Sequence, residues 1–462
     1  MSRSTEVLFD LVIRNATIVS HSTTGAGDVA IRDGRIEEIG CPVRAAGRHE
    51  IDASGLHLFP GVIDAHVHFN DPGRAHWEGW ATGSAAAAVG GTTTVAEMPL
   101  NASPPTLDAA AFDAKVAAAT GASHVDFALW GGLTPVNLEQ MTELGARGVI
   151  GFKAFMCNSG IEDFPAADDA TLREGMQRAA DLGLPVAVHA EDASLTSRLT
   201  AEARAAGETS VQAYLASRPP EAELAAIARA IALAEEAGCE LYVVHISTAA
   251  GVELVRDAAA RGVPVRAETC PHYLLFTDDD LASRGAPLKC SPPLRSDQQR
   301  DALVDLVHRG MVDTLASDHS PSPPEMKAHD DFFQIWGGIS GCQSLLSATL
   351  SAGGDAGAKA DLVLLAEMLA RNPAELLRQP DKGDLRAGMD ADLVLVDLAR
   401  EYVLVERDLH YRHRVSPYIG YALQGRPIRT LLRGVTIAQD GNIVGRPLGR
   451  LITPVRGSRV VH

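Results

Sequence analysis

Phe59-Pro-Gly-Val-Ile-Asp-Ala-His-Val-His68 is an apolar, β-branched run that ends on two histidines. On a strand, side chains at i and i+2 point to the same side, so His66 and His68 can face one metal ion. The texture recurs along the chain. Lys153 lies in Val149-Ile-Gly-Phe-Lys-Ala-Phe155, and His189 ends Val186-Ala-Val-His189. His245 ends Leu241-Tyr-Val-Val-His245, and Asp318 follows Thr314-Leu-Ala-Ser317. Side chains of this kind at the C-terminal ends of successive strands are how a (β/α)8 barrel assembles a hydrolytic metal centre.

Eight runs read as buried strands: 58–69, 92–98, 125–130, 149–155, 186–189, 241–245, 263–268 and 312–317. Helical stretches such as 78–89, 201–206, 221–237 and 251–261 separate several of them. Continuous apolar strands with helical crossovers predict a closed parallel (β/α)8 TIM barrel over residues 58–388. A doubly wound sheet is the competing fold. It would not bring together side chains from the first, fourth, fifth, sixth and eighth strands, whereas the strands of a closed barrel share one mouth.

The two ends of the chain have a different texture. Leu8–Val19 alternates apolar and polar, and Asp28–Ile39 places Asp33-Gly34 between two such runs, a hairpin signal. Asp390–Asp397 and Thr430–Val444 repeat it, again with Asp-Gly at 440–441. Residues 1–57 and 389–462 therefore read as one small β-sandwich domain built from both termini; two unrelated terminal sheets is the competing reading.

With 462 residues, the chain can bury a barrel core and still supply a second domain. It holds 41 Lys and Arg against 59 Asp and Glu, a net charge of −18, which argues against nucleic acid or an anionic membrane as partner. No apolar run approaches the ~18 residues of a membrane helix, and no signal-like segment opens the chain. A cytoplasmic protein follows. The six cysteines (41, 157, 239, 270, 290, 342) are scattered with no CxxC, so reduced thiols are expected.

Imidazole suits Zn²⁺ and related divalent ions. A carboxylate such as Asp318 after the last strand can bind a metal and also accept a proton from water; its competing role is a helix cap. Lys153 is the odd member, because an ammonium is a poor metal ligand and a barrel interior disfavours it. Alternation sets Phe152 and Ala154 opposite to it. Lys153 needs either an anionic partner, which could be an acidic substrate, or conversion by CO2 to a carbamate able to bridge two metals.

These residues and several longer segments resemble the amidohydrolase superfamily. The resemblance is to its cyclic-amidohydrolase branch of dihydroorotases, hydantoinases and allantoinases, and it runs through essentially the whole chain. It includes the terminal segment Gly388-Met-Asp-Ala-Asp-Leu-Val-Leu-Val-Asp397. The resemblance implies two divalent metal ions, with Zn²⁺ expected and Co²⁺, Mn²⁺ or Fe²⁺ fitting the same ligands. Carried over, His66, His68 and Asp318 hold one ion, and His189 and His245 the other. Lys153, as N6-carboxylysine, and a hydroxide bridge them.

Fewer residues bear on the substrate. Dihydroorotases carry HxHxR, where the arginine grips a substrate carboxylate; here the position is Asn70, which argues against an acidic ring. Hydantoinases usually place a tyrosine five residues after the lysine; here it is Asn158. The allantoinase branch resembles the chain most in His76-Trp-Glu-Gly79, Glu97–Pro105, Lys289-Cys-Ser-Pro-Pro293, Ser317–Lys327 and Trp336-Gly-Gly-Ile-Ser340. Asp71 departs mildly from that branch, where glutamate is commoner.

The expectation is a hydrolase that opens the hydantoin ring of allantoin to give allantoate in purine degradation. Asp318 would be the proton shuttle, and Asn70, Asn158, Ser291 and Gly337 would contact substrate. His319 stands either behind the ligands or on the surface. A homotetramer is implied by likeness alone. The alternatives are a hydantoinase or dihydropyrimidinase, a dihydroorotase, and, from another class, a non-catalytic assembly protein on the same barrel. Prolines 321, 323 and 324 prevent a helix after Ser317 and predict a rigid loop over the mouth.

Overall fold

The computed structural model describes residues 9–352 and 361–455. Residues 1–8 (with Leu8 of the first expected strand) and 456–462 of the expected terminal domain, and 353–360 of the expected barrel, lie outside them. The N-terminal strands are β1 (Phe9–Val19), β2 (Thr24–Arg32), β3 (Arg35–Gly40), β4 (Gly47–Asp52) and β5 (His57–Pro60). Nine short parallel segments follow: β6 (Val62–Val67), β7 (Thr92–Glu97), β8 (Asp126–Leu129), β9 (Gly131–Gly132), β10 (Phe152–Phe155), β11 (Val186–His189), β12 (Leu241–Val243), β13 (Val265–Thr269) and β14 (Thr314–Leu315). The chain ends with β15 (Leu393–Val403), β16 (Ala422–Leu432), β17 (Val435–Gln439) and β18 (Asn442–Ile443).

The result is a mixed α/β fold with parallel central sheets. β6, β7 and β8 form one parallel sheet, and β9 to β14 form a second in chain order. Only Trp130 separates β8 from β9. Side chains alternate as period-2 geometry requires. Phe127, Leu129, Phe152, Ala154, Val186 and Val188 pack outward in the large core under the helices. Ala128, Trp130, Ile150, Ala187 and Tyr242 pack inward in a second core. There Trp130 stacks on Tyr242 with ring centroids 6.0 Å apart. Gly151 makes room for this, since a Cβ at that position would lie 2.4 Å from the Trp130 ring. Each fully buried aromatic or aliphatic side chain contributes roughly 1.5–3 kcal/mol.

The predicted strand 58–69 is two strands. Gly61 divides it: β5 pairs antiparallel with β15, while β6 pairs parallel with β7. Both halves are apolar, so hydropathy gave no sign of the division. Strands from the two chain ends share one sheet, in the order β18-β17-β16-β15-β5-β1-β2-β3, with β4 added beside β1. Both Asp-Gly turns are hairpins. Asp33 and Gly34 take φ of 51° and 77°, and Asp440 and Gly441 take 49° and 80°, as two-residue turns demand. Residues 449–452 leave this sheet and run along β8, where Leu451 bridges Phe127.

Helices begin where short polar side chains satisfy the first free N–H groups. Asp108, Asp168, Asp192, Ser210 and Thr248 each accept such a bond, and each is typically worth about 1 kcal/mol. No described helix is long and apolar enough to cross a membrane, and all six cysteines are free.

Candidate active site

The parallel strands deliver their polar side chains to one end. His66 is the penultimate residue of β6, and His68 lies just beyond it. Lys153 is the second residue of β10, His189 is the last of β11, and His245 and Asp318 stand shortly after β12 and β14. His66, His68, His189, His245 and Asp318 all line one cavity of about 620 Å³. Lys153 lies beneath it, fully buried. His245 and Asp318 take left-handed φ values of 41° and 45°. Such backbone in a non-glycine residue costs on the order of 1–3 kcal/mol and persists where the surroundings impose it.

Asp318 Oδ1 is 3.2 Å from His66 Nε2 and 3.5 Å from His68 Nε2. The ligand atoms of these three residues all lie within 4.8 Å of one another. On the other side, His189 Nδ1 and His245 Nε2 are 3.1 Å apart. Lys153 Nζ, near Glu268 and Asp318 and 5.3 Å from the centroid of the Phe155 ring, is buried with no hydrogen-bond partner among the described residues. Burial holds His66 below its usual value, and burial with the neighbouring Lys153 holds His245 well below it, so both are neutral with a lone pair to offer. Burial opposes ionisation of Asp318, but His66, His68 and His245 keep it a carboxylate. Burial likewise lowers the Lys153 amine to about 8. Burial opposes charging of His189, but Cys157 and Glu191 outweigh it and raise the ring to about 9, so it offers a lone pair only when a cation displaces its proton. Four imidazoles and a carboxylate converging near an orphaned amine fit divalent metal binding.

A second layer fixes the imidazole tautomers. His66 Nδ1 is 2.8 Å from Glu268 Oε1, which leaves Nε2 for the cavity. The same carboxylate accepts from His245 N at 3.1 Å and from the Tyr242 hydroxyl. His189 Nε2 is 2.8 Å from Glu191 Oε2, which Arg218 also holds. His68 Nδ1 faces Leu100 O at 3.4 Å. Asp64, fully buried, accepts from Ser317 N at 3.0 Å and so anchors the turn before Asp318. Carboxylates behind metal-binding histidines orient the rings and raise their basicity.

Of the other expected residues, Asn158, Ser291 and Gly337 line the cavity. Asn70 does not. It is fully buried, and its Nδ2 donates to Pro321 O at 3.3 Å. The small side chain that replaces a cation there holds the proline loop. His319 is buried behind Asp318: its Nδ1 accepts from Gly341 N at 3.1 Å, and its ring packs 4.9 Å from Tyr411. That settles the choice left open for His319 against a surface position. The sequence reading missed Glu268, Glu191 and Asp64. Each is an acid inside or just past an apolar strand, and that was the available signal.

Residues 57–437 match the amidohydrolase family. The chain belongs to that family. This amidohydrolase is 54% identical to an allantoinase of Rubrobacter xylanophilus over 97% of its own length and 98% of the relative's. It is 46% identical to an allantoinase of Deinococcus radiodurans (96% and 99% of the two chains) and 41% identical to one of Escherichia coli (93% and 95%). Among solved structures it is similar to the L-hydantoinase (dihydropyrimidinase) of Arthrobacter aurescens. That likeness has a TM-score of 0.93 at 35% identity and covers 96% and 100% of the chains. A dihydropyrimidinase from Brevibacillus agri gives 0.88 at 32%, covering 96% and 99%. The amidohydrolase is thus a hydrolytic enzyme of the kind that acts on cyclic amides.

Proposed function

We propose that this amidohydrolase is an allantoinase, opening the hydantoin ring of allantoin to give allantoate. The observation that carries the reading is the convergence of His66, His68, His189, His245 and Asp318 around the orphaned Lys153 Nζ. It occurs in a chain 54% identical, nearly end to end, to a relative named allantoinase. The Val67–His319 parallel bridge and the His68 N to His319 O bond of 2.7 Å support closure of eight strands into a (β/α)8 barrel. The proposed division is residues 58–388 for the barrel and 1–57 with 389–462 for the terminal β-domain.

His66, His68 and Asp318 would hold one divalent ion and His189 and His245 another, with Lys153 carbamylated between them; Zn²⁺ leads, and Co²⁺, Mn²⁺ or Fe²⁺ suit the same donors. Ions bound there supply a water of lowered pKa and polarise the ring carbonyl. The chain's own residues do the rest. Asp318 accepts the proton of the attacking water as its oxygen adds to the carbonyl carbon. It then returns that proton to the ring nitrogen as the C–N bond breaks. Ser291, Gly337 and Asn158 hydrogen-bond the neutral ring and its ureido arm, while Asn70 acts through the proline loop. His319 supports Asp318 from behind. The enzyme would work in the cytoplasm as a homotetramer, a state that family likeness suggests and mass photometry tests.

Hydantoinase or dihydropyrimidinase activity is the second reading, favoured by the solved structures at 28–35% identity. Incubating metal-reconstituted protein separately with allantoin, dihydroorotate, hydantoin and dihydrouracil decides between them. A preference for allantoin is expected. Faster opening of another ring overturns the substrate while leaving the metal site standing.

A further inference from the structure

Two lysines outside the metal site close on the loop that carries Gly337. Lys327 Nζ donates to Trp336 O at 2.9 Å, Gly338 O at 2.7 Å and Ala286 O at 3.2 Å, which uses all three ammonium hydrogens. Lys289 Nζ donates to Phe332 O at 2.6 Å and to Ile335 O. Its own carbonyl accepts from Gly338 N at 2.8 Å. Among the described residues neither ammonium has a carboxylate in ion-pair range, and Lys289 is only 4% exposed. Its charge rests instead over the Tyr214 ring, 4.6 Å from the centroid. An enclosed ammonium without a counter-ion is costly. A neutral side chain of similar size could tie only one or two of these carbonyls.

The bonding pattern leaves one peptide free. The carbonyls of residues 332, 335, 336 and 338 are taken by the lysines. Gly337 lies between them on the cavity wall, with neither its N–H nor its C=O bonded to the chain among the described residues. A Cβ there would be 3.8 Å from Ser291 Oγ with no other atom within 4 Å apart from its two chain neighbours, so the wall beside the Gly337 Cα is open. The Gly337 N–H shares its amide with Trp336 C=O, which Lys327 grips. The Gly337 C=O shares its amide with Gly338 N–H, which is bound to Lys289 O. Hydrogen bonding at one end of an amide strengthens the other end by something like 10–30% per bond. Both free groups of Gly337 are thereby polarised as well as held in place.

We propose that Lys327 and Lys289 are positioning residues that present the Gly337 peptide as a donor–acceptor pair for the cyclic amide of the substrate. This rests on the reading that Gly337 contacts substrate. The test compares wild type with Lys327→Met, Lys327→Gln and Lys327→Arg. It reads kcat and KM for allantoin, bound metal per chain, melting temperature, and hydrogen exchange over residues 332–338. Expected for Met and Gln are a rise in KM of about tenfold or more, kcat within about threefold, unchanged metal content and faster exchange in the loop. Arginine, which keeps charge and donors, restores KM to within about threefold. If Met does not fold, the Gln and Arg pair carries the comparison. A folded Met or Gln variant with KM within twofold of wild type overturns the proposal. So does a loss confined to kcat or metal content. Wild type that leaves allantoin intact would overturn the substrate reading instead, and the exchange measurement would still report whether Lys327 holds the loop.

Discussion

Replacing Lys382 by methionine should destabilise the protein by about 3–5 kcal/mol without touching the active site. Lys382 Nζ is 2.9 Å from Asp126, at the start of β8, and 3.3 Å from Asp390; it also bonds Asp392, just before β15. Asp126 and Asp392 are 1% and 4% exposed. Asp126 keeps a second cation, Arg433, so the variant leaves one buried carboxylate uncompensated rather than two. Breaking a buried pair from one side costs about 3–5 kcal/mol. Burial already holds the Asp392 carboxyl above the usual carboxylate range despite Lys382, and losing the lysine raises it further. A carboxyl raised in the folded state binds more protons there than in the unfolded chain, so the variant's stability falls as pH rises through that window. Urea denaturation at pH 8 and pH 5 should show the full deficit at pH 8 and a smaller one at pH 5. The double variant Lys382→Met/Asp392→Asn should recover at least half of it, because asparagine keeps the 2.8 Å bond from Arg433 N without the charge. A deficit under about 1 kcal/mol, or a double variant no more stable than the single one, would refute the reasoning.

Three other outcomes follow from the site. Lys153→Ala should lose at least about a thousandfold in kcat, with partial recovery on adding a short-chain carboxylic acid; an unimpaired variant sinks the bridging role. Glu268→Gln, which weakens the brace on His66 Nδ1, should reduce metal affinity by about 10–100-fold, read by competition with a chromogenic chelator; unchanged affinity means the ring is held by packing alone. Burial lowers the Lys327 ammonium to about 7. The charged form is therefore present below that pH and lost above it. Beside it, Cys290 stays a neutral thiol, pushed up to about 12. The KM of wild type should climb several-fold more between pH 6.5 and 9 than that of Lys327→Arg, whose charge persists; parallel profiles would assign the rise to another group.

The residues that meet at the cavity were legible because His66, His68, His189, His245 and Asp318 stand at or just past the end of a continuous apolar run, with Lys153 inside another, and burial on both faces of a parallel strand forces that texture. Helix starts were read less well. The helix Ala193–Ala205 begins well before the predicted Ala201, because Asp192 caps it by accepting from Leu195 N at 2.9 Å. That cap sits in a polar stretch that gave no periodicity. The left-handed backbone of His245 and Asp318 is imposed by the surrounding fold and leaves no mark on composition. The grip of Lys289 and Lys327 was equally hidden, since their partners are backbone carbonyls, which every residue possesses.

The sheet shared by the two chain ends sets a timetable for synthesis. Pro60 pairs with Leu393, so 333 residues (393 minus 60) must be made before β5 meets β15. At roughly 5–20 residues per second, the first strands wait about 17–67 s for their partner. Throughout that interval β5 offers an unpaired edge, the kind of surface that recruits strands from other chains. The emerging N-terminal segment is therefore where a ribosome-bound chaperone would matter most, and crowding of nascent chains on one message is where this enzyme would first be lost to aggregation.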